Sequence, residues 1–87
     1  MEKEYQELIG FYRHFKGNYY VVEGVAKHSE TLEPMVVYRA LYGEGALWVR
    51  PLSMFFEQVD KPEYKGSRFS RVEREEVPAE ALKFLTE

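Results

Sequence analysis

Two histidines and a glutamate are the residues of this sequence best suited to move a proton or hold a metal. His28 and Glu30 follow a run typical of a strand, so they project to the same side if the extended geometry persists, and His14 is a candidate third member. Histidine titrates near neutral pH, which allows acid–base catalysis with the carboxylate. The same groups are the minimum for a metal site with an open position, but their spacing matches no specific ligand pattern. We favour the alternative that they hydrogen-bond a tight loop and cap exposed backbone.

A second group combines aromatic rings with guanidinium groups on two strands that are predicted to pair. Alternation puts Trp48 and Arg50 on one side of their strand, while on the other strand Arg39 opposes Tyr38 and Tyr42. One interpretation is a surface able to stack on a base, clamp a carboxylate or cage a cation. The other, which we weigh slightly higher, is that the rings form the core and the arginines pair with nearby acids. Those acids are Glu23, Glu30 and Glu44.

The patterns of nucleophilic and cofactor-dependent catalysis are missing from the sequence. It has no cysteine, which excludes a disulfide framework, a thiolate zinc site and a cysteine nucleophile. No serine lies in a Gly-x-Ser-x-Gly elbow. The turn Gly43-Glu44-Gly45 carries an acid and precedes no helix, so it is a poor phosphate cradle. We therefore predict no catalytic residue, no metal and no cofactor, and we favour a binding role over an enzyme.

Short strands are the elements that must position these residues. Runs of β-branched and aromatic residues predict strands over residues 19–26 and 35–42, and Gly24 indicates a bulge or bend in the first. A turn containing glycine leads into another strand over residues 46–50, which predicts an antiparallel hairpin. Pro51 ends that strand and opens a single helical turn.

The remaining elements complete a mainly β fold. Residues 56–59 resume extended structure, residues 61–66 form a loop and residues 68–72 form a last short strand. Residues 1–10 and 77–87 have the spacing of short amphipathic helices. Four or five strands with tight turns favour a small, partly open antiparallel SH3-like β-barrel with short N- and C-terminal helices. A curled sheet packed on the terminal helices is the alternative.

Length and charge limit the organisation and the partners of the chain. With 87 residues there is room for one hydrophobic core, so residues 1–87 are predicted to be a single domain with the barrel core over residues 11–76. The net charge is −3 and the basic residues are scattered, which disfavours binding to duplex DNA. The charged N-terminal residues lead into no long apolar run, so we expect no signal peptide, no membrane segment and a cytoplasmic location.

Four blocks of residues between Phe11 and Val59 form a distinctive pattern. They are Tyr12-Arg13-His14-Phe15-Lys16-Gly17, Gly24-Val25-Ala26-Lys27-His28-Ser29-Glu30-Thr31, Val37-Tyr38-Arg39-Ala40-Leu41-Tyr42, and Trp48-Val49-Arg50-Pro51-Leu52 with Met54-Phe55. This stretch resembles the bacterial family catalogued as domain of unknown function 1653. The resemblance implies a short, barrel-like domain and no particular activity. Residues 60–87 match less clearly, and the closing helix resembles an extension.

Our leading hypothesis is a non-catalytic binding or accessory module for a peptide, a small anion or a flexible single-stranded RNA. Its predicted shallow site consists of His14, His28, Glu30, Arg39, Tyr42, Trp48 and Arg50. The second hypothesis is a small enzyme that uses His28 and Glu30 as acid and base on a substrate held by Arg39 or Arg50. The third is a homodimer formed at an exposed sheet edge, without any ligand.

Overall fold

Short strands are the commonest secondary structure of the chain. The computed structural model describes residues 3–85, with side chains from residue 5 onward. The strands in that range are β1 Gly10–His14, β2 Tyr19–Lys27, β3 Pro34–Ala40, β4 Leu47–Pro51, β5 Gln58–Lys61, β6 Tyr64–Ser67 and β7 Phe69–Val72. The helical segments are the 3₁₀ helix Lys3–Leu8, α1 Leu52–Phe55, the 3₁₀ helix Arg74–Glu76, and α2 Ala79–Leu82 with a 3₁₀ turn over Lys83–Leu85.

Two antiparallel sheets form from these strands. The larger has the order β4-β3-β2-β1-β7, and β5 pairs with β6 in a separate hairpin. The predicted hairpin between β3 and β4 is confirmed, with Tyr38 directly opposite Trp48. The mainly β, antiparallel architecture is confirmed as well. The sheets are not closed into a barrel, so the predicted SH3-like barrel is not confirmed.

Helical segments cover both faces of the larger sheet. In a barrel, by contrast, the sheet would close on itself around a single core. Val36 and Tyr38 of β3 point to the first face and are buried with Phe55 of α1. On the opposite face, Val77 and Ala81 are buried beside partly buried residues of β1, β2 and β7. Sealing both faces removes apolar surface from water without requiring β4 and β7 to meet. The architecture is therefore an open antiparallel sheet with helical segments packed on both faces.

The bulge that Gly24 predicts in β2 is present. The register with β3 shifts between the pair Val22–Tyr38 and the pair Gly24–Val37, which leaves Glu23 as the extra residue. A bulge bends the strand and increases its twist. It also allows Val22 and Val25, three positions apart, to be buried on the same face.

Some elements differ from the sequence-based expectations. Strand β1 lies where no strand was predicted, and it occupies the sheet between β2 and β7. The loop predicted over residues 61–66 is wrong, because Lys61 pairs with Tyr64 across a two-residue turn and starts a hairpin. Tyr64 Oη stabilises it by donating to the Ser67 carbonyl at 2.9 Å.

The terminal helices are shorter than predicted. The N-terminal one is a 3₁₀ helix over Lys3–Leu8, and the C-terminal one occupies Ala79–Leu85 as α2 and its 3₁₀ turn. Residues 1–2 and 86–87 of the two predicted helices lie outside the described residues. Within residues 3–85, no helix is both long and apolar enough to span a bilayer.

Candidate ligand-binding site

Five side chains of the first face line a surface pocket of about 180 Å³. They are Tyr20, Tyr38, Tyr42, Trp48 and Arg50. Strand register brings them together, since residues paired directly in an antiparallel sheet point to the same face. Tyr38 pairs with Trp48, and Arg50 pairs with Val36, which shares the face of Tyr38. The volume suits a carboxylate or phosphate group, whereas pockets for drug-sized ligands have about 300–1,000 Å³.

Arg50 supplies the positive charge of this pocket. Its Nε donates to the Tyr38 hydroxyl at 3.3 Å, and its guanidinium lies 5.9 Å from the centre of the Phe69 ring. The ion pairs formed by arginines among the described side chains are Arg39–Glu23 and Arg68–Glu57, so Arg50 has no carboxylate partner there. A partly buried guanidinium beside aromatic rings retains donors for an anion.

Two tyrosine hydroxyls shape the rim. The Tyr20 and Tyr42 oxygens lie 2.7 Å apart in a hydrogen bond, although the residues belong to different parts of the chain. Burial and this hydrogen bond raise the pKa of Tyr20 far above its ordinary value of 10.0. The raised pKa disfavours the phenolate of Tyr20 further, so at neutral pH its hydroxyl is a hydrogen-bond donor or acceptor.

Trp48 forms the exposed wall of the pocket. It lies on β4, an edge strand of the larger sheet, and 52% of its surface is exposed. An exposed indole offers a flat apolar face and an N–H donor to a ligand. The exposed fraction also separates Trp48 from the buried rings beneath it, such as Tyr38 and Phe55.

His14 borders the pocket without lining it. Its ring lies 6.3 Å from Tyr20 and packs edge-on to Phe69 at 5.0 Å between centroids. Burial lowers the pKa of His14 below 6.5, and the positive charges of Arg68, Arg50, Lys16 and Lys61 lower it further. Its Nδ1 accepts from the Lys16 backbone N–H at 3.1 Å, so the neutral ring carries its proton on Nε2.

His28 and Glu30 lie at the tip of the β2–β3 hairpin, away from the pocket. His28 Nδ1 accepts from the backbone N–H of Glu30 at 3.0 Å and of Thr31 at 3.3 Å, and Glu30 accepts from the Ser29 hydroxyl. The length of β3, about 20 Å at the usual strand rise, separates this tip from the end of β3 that bears the pocket. His28 thus caps backbone N–H groups of its own loop. Among the described residues, no group of three His, Cys, Asp or Glu side chains could hold a metal ion.

Arg39 points to the opposite face of the sheet. Its Nε pairs with Glu23 at 3.0 Å and its Nη1 donates to the Gly45 carbonyl at 2.8 Å. The bulge at Glu23 thus supplies the partner of this arginine. Of the two alternatives for the arginines, pairing with an acid describes Arg39, while Arg50 remains available.

The structure therefore brings together three of the seven predicted site residues, Tyr42, Trp48 and Arg50, with His14 beside them. It places His28, Glu30 and Arg39 elsewhere, and we remove these three from the candidate site. Tyr20 and Tyr38 line the pocket but are absent from the predicted set. The sequence places Tyr38 in the aromatic group of its strand, whereas for Tyr20 it offers only the abundance of tyrosine, seven in 87 residues.

Fold and pocket together define a small antiparallel β domain with an open aromatic pocket around one arginine. The chain belongs to the family described as protein of unknown function (DUF1653), whose family model matches residues 10–71. The match extends beyond the resemblance over residues 11–59 and takes in β7 up to Arg71.

A solved structure supports the same assignment. The crystal structure of a DUF1653 protein from Bordetella bronchiseptica is 37% identical in sequence and superposes with a TM-score of 0.68. The similarity covers 75% of this chain and 86% of the other. No curated protein matches the sequence.

Proposed function

We propose that this domain is a non-catalytic binding module whose pocket takes an anionic group, a carboxylate or a phosphate, on Arg50. The observation that carries the proposal is the guanidinium of Arg50, partly buried among aromatic rings and without a carboxylate partner among the described side chains. Desolvated, charge-assisted hydrogen bonds from a guanidinium are strong and geometrically specific. Trp48 packs against the part of the ligand next to the anion.

The chemistry around the pocket supports binding over catalysis. Tyr20 is held protonated, and the His28–Glu30 pair of the enzyme hypothesis caps a loop at the far end of β3. The pocket is also open to solvent at Trp48, whereas electrostatic catalysis depends on a site that excludes water. Tyr42, Trp48 and Arg50 are therefore binding residues in this proposal.

Homodimer formation through a sheet edge stays a prediction. β4 is an edge strand, and its residues Leu47 and Val49, on the face opposite the pocket, are exposed. Sedimentation at high micromolar concentration tests it, because a monomer there contradicts pairing along β4.

The proposal is tested with the single tryptophan as reporter. Inorganic phosphate and adenosine monophosphate are titrated at low salt, and the change in Trp48 fluorescence is recorded. Arg50→Gln should weaken binding about 10- to 100-fold, the effect of losing charged hydrogen bonds of about 1.5–3 kcal/mol. Arg13→Gln, an exposed arginine on the opposite face, is the matched control.

Thermal unfolding of both variants accompanies the titration. We expect similar midpoints, because Arg50 makes one hydrogen bond, to the uncharged Tyr38 hydroxyl, and no ion pair among the described side chains. Binding unchanged in Arg50→Gln, or a domain that unfolds when Arg50 is replaced, contradicts the proposal.

A further inference from the structure

A second cluster of rings and cations lies at the end of β1. The rings of Phe15 and Tyr64 stack with centroids 5.0 Å apart and planes 15° from parallel, and His14 stacks on Phe15 at 4.6 Å. The Lys16 and Lys61 ammonium groups lie 6.0 and 5.6 Å from the centre of the Phe15 ring. We call these five residues the Phe15 cluster. Like the pocket, it combines aromatic faces with positive charge.

Phe69 connects the Phe15 cluster with the pocket. His14 packs on Phe69 at 5.0 Å from one side, and the Arg50 guanidinium lies 5.9 Å from the same ring. Tyr20, a pocket residue, also packs edge-on to Phe69 at 5.4 Å. Phe69 itself is buried, but the half-buried His14 and Tyr20 both pack on it with their ring centroids 6.3 Å apart. Through these two residues the pocket and the Phe15 cluster form one surface that runs across the sheet from β4 to β1.

This surface is positive in a chain whose net charge is −3. Arg50, Arg68, Lys16 and Lys61 all act on His14 and lower its pKa in addition to burial. The acid that pairs with them is Glu57, bound to Arg68 at 2.7 Å. The nearby Asp60 pairs with Lys65. Arg50, Lys16 and Lys61 therefore form no ion pair among the described side chains, and all three lie beside aromatic rings.

The charges on the two sides of Trp48 favour one direction for a bound polyanion. On the other side of Tyr42 and Trp48 lies a groove of about 450 Å³ whose lining includes Glu44. A polyanion bound at Arg50 is repelled by that carboxylate and attracted toward Lys16 and Lys61. From β4 to β1 there are three strand spacings, about 14 Å, which corresponds to about four nucleotides at a stacked rise of about 3.4 Å.

We propose that this surface binds a short single strand of nucleic acid, with a base against Trp48, a phosphate on Arg50 and further phosphates at Lys16 and Lys61. The inference rests on the proposed function, because Arg50 is the anion site of both. Proteins that bind single strands combine a positive groove with aromatic platforms for successive bases. Rings and cations recur at two places here, which suits a chain that alternates bases and phosphates better than an acidic peptide.

The test compares ligands of increasing length by the fluorescence of Trp48. The probes are inorganic phosphate, adenosine monophosphate, an eight-residue oligoadenylate, an eight-residue oligodeoxyadenylate and an eight-residue oligoglutamate. We expect either oligonucleotide to bind at least about tenfold tighter than the mononucleotide, because it reaches the lysines. A preference between the two oligonucleotides identifies RNA or DNA as the ligand.

Lys16 and Lys61 are tested together. The double variant Lys16→Gln, Lys61→Gln should bind the mononucleotide as the wild type does. It should lose the additional affinity that the oligonucleotide has over the mononucleotide. The slope of log affinity against log salt should fall by about 1.4, since each phosphate contact on a single strand contributes about 0.7. The double variant Arg13→Gln, Lys27→Gln removes two exposed cations elsewhere and is the control. It should keep the additional affinity for the oligonucleotide and the salt dependence of the wild type.

The outcomes separate the two proposals. If phosphate or the mononucleotide binds but the oligonucleotides bind no tighter, or if oligoglutamate binds as tightly as they do, the single-strand inference is overturned and the anion site stands. If no probe perturbs Trp48 or shows binding by equilibrium dialysis, both are overturned.

Discussion

Arg50 donates from Nε to the hydroxyl of Tyr38 at 3.3 Å, and Tyr38 is itself buried against Phe55 and Phe69. The guanidinium is therefore held by a ring that the core fixes in place. Orienting an arginine before the ligand arrives reduces the conformational entropy lost on binding. The position of this charge depends on a packed core residue rather than on a flexible loop.

Tyr38→Phe should weaken anion binding with little loss of stability. The ring remains in the core, but the hydrogen bond that orients Arg50 is removed. We expect this loss to cost about 1 kcal/mol in the free energy of anion binding. We expect phosphate and adenosine monophosphate to bind about 3- to 10-fold more weakly in the Trp48 fluorescence titration. Tyr19→Phe, which removes a hydroxyl on the opposite face, is the control. Equal affinity in Tyr38→Phe and wild type would show that the hydrogen bond does not position Arg50.

Phe55→Ala should be among the most destabilising substitutions. Phe55 is fully buried and stacks on Phe69 at 4.1 Å with the ring planes 2° apart. Removing a buried phenyl ring leaves a cavity and costs about 3–5 kcal/mol in the free energy of unfolding. Phe56→Ala, at a neighbouring ring that is 38% exposed, should cost less than half as much. Urea denaturation measures both, and equal losses would contradict the assignment of Phe55 as the ring that fixes α1 to the sheet.

Much of the fold could be predicted from the sequence because the alternation of residues and the positions of glycine and proline indicate the same strands and turns. In β3 and β4 the alternation of residues and the glycines of the turn give the same answer, and Pro51 ends β4 where the ladder stops. Strand β1 gave no such signal. It begins at Gly10, and its five residues mix charged and aromatic types, so pairing with β2 and β7 on both sides determines it.

The candidate site was predictable only in part, for a related reason. Alternation predicts that Trp48 and Arg50 share one face, but it does not give the register across the three strands β2, β3 and β4. Tyr20 enters the pocket through its pairing with Ala40, a contact between residues far apart in sequence. His28 and Glu30 were grouped because they are close in sequence, yet both serve the backbone of their own loop.

Gly45→Ala should loosen the C-terminal segment, and Gly43→Ala should not. Both glycines have φ near +60°, where another residue costs about 1–2 kcal/mol. An added Cβ at Gly45 would also lie 2.8 Å from the Phe84 ring, whereas at Gly43 it meets nothing within 4 Å. We expect Gly45→Ala to lose more stability in urea. We also expect it to accelerate hydrogen exchange of the α2 amides. The same exchange rates in both variants would mean that Phe84 moves aside without cost.

Stability should fall as the pH is lowered from about 7.5 to 5.5, in part through His14. Burial and the neighbouring cations lower the pKa of His14 in the folded state, so the unfolded chain, with a value near 6.5, binds a proton first. The contribution of neutral His14 is complete above about 6.5 and is lost as the pH falls toward the folded value. His14→Gln should reduce the slope of the unfolding free energy against pH. An unchanged slope would mean that His14 does not contribute to it.

The position of β1 between β2 and β7 has a consequence for how the molecule assembles. Hairpins join β1 through β4 in chain order, and they can form from neighbouring segments as soon as these are available. Strand β7 must instead return to β1 from near the other end of the chain, closing a long loop. Until it does, one edge of β1 is an open template for any other strand, and Phe69, which connects the pocket to the Phe15 cluster, is absent. The pairing of β7 with β1 that completes the sheet therefore also places Phe69 beneath His14 and Arg50, so the binding surface depends on the last strand of the chain.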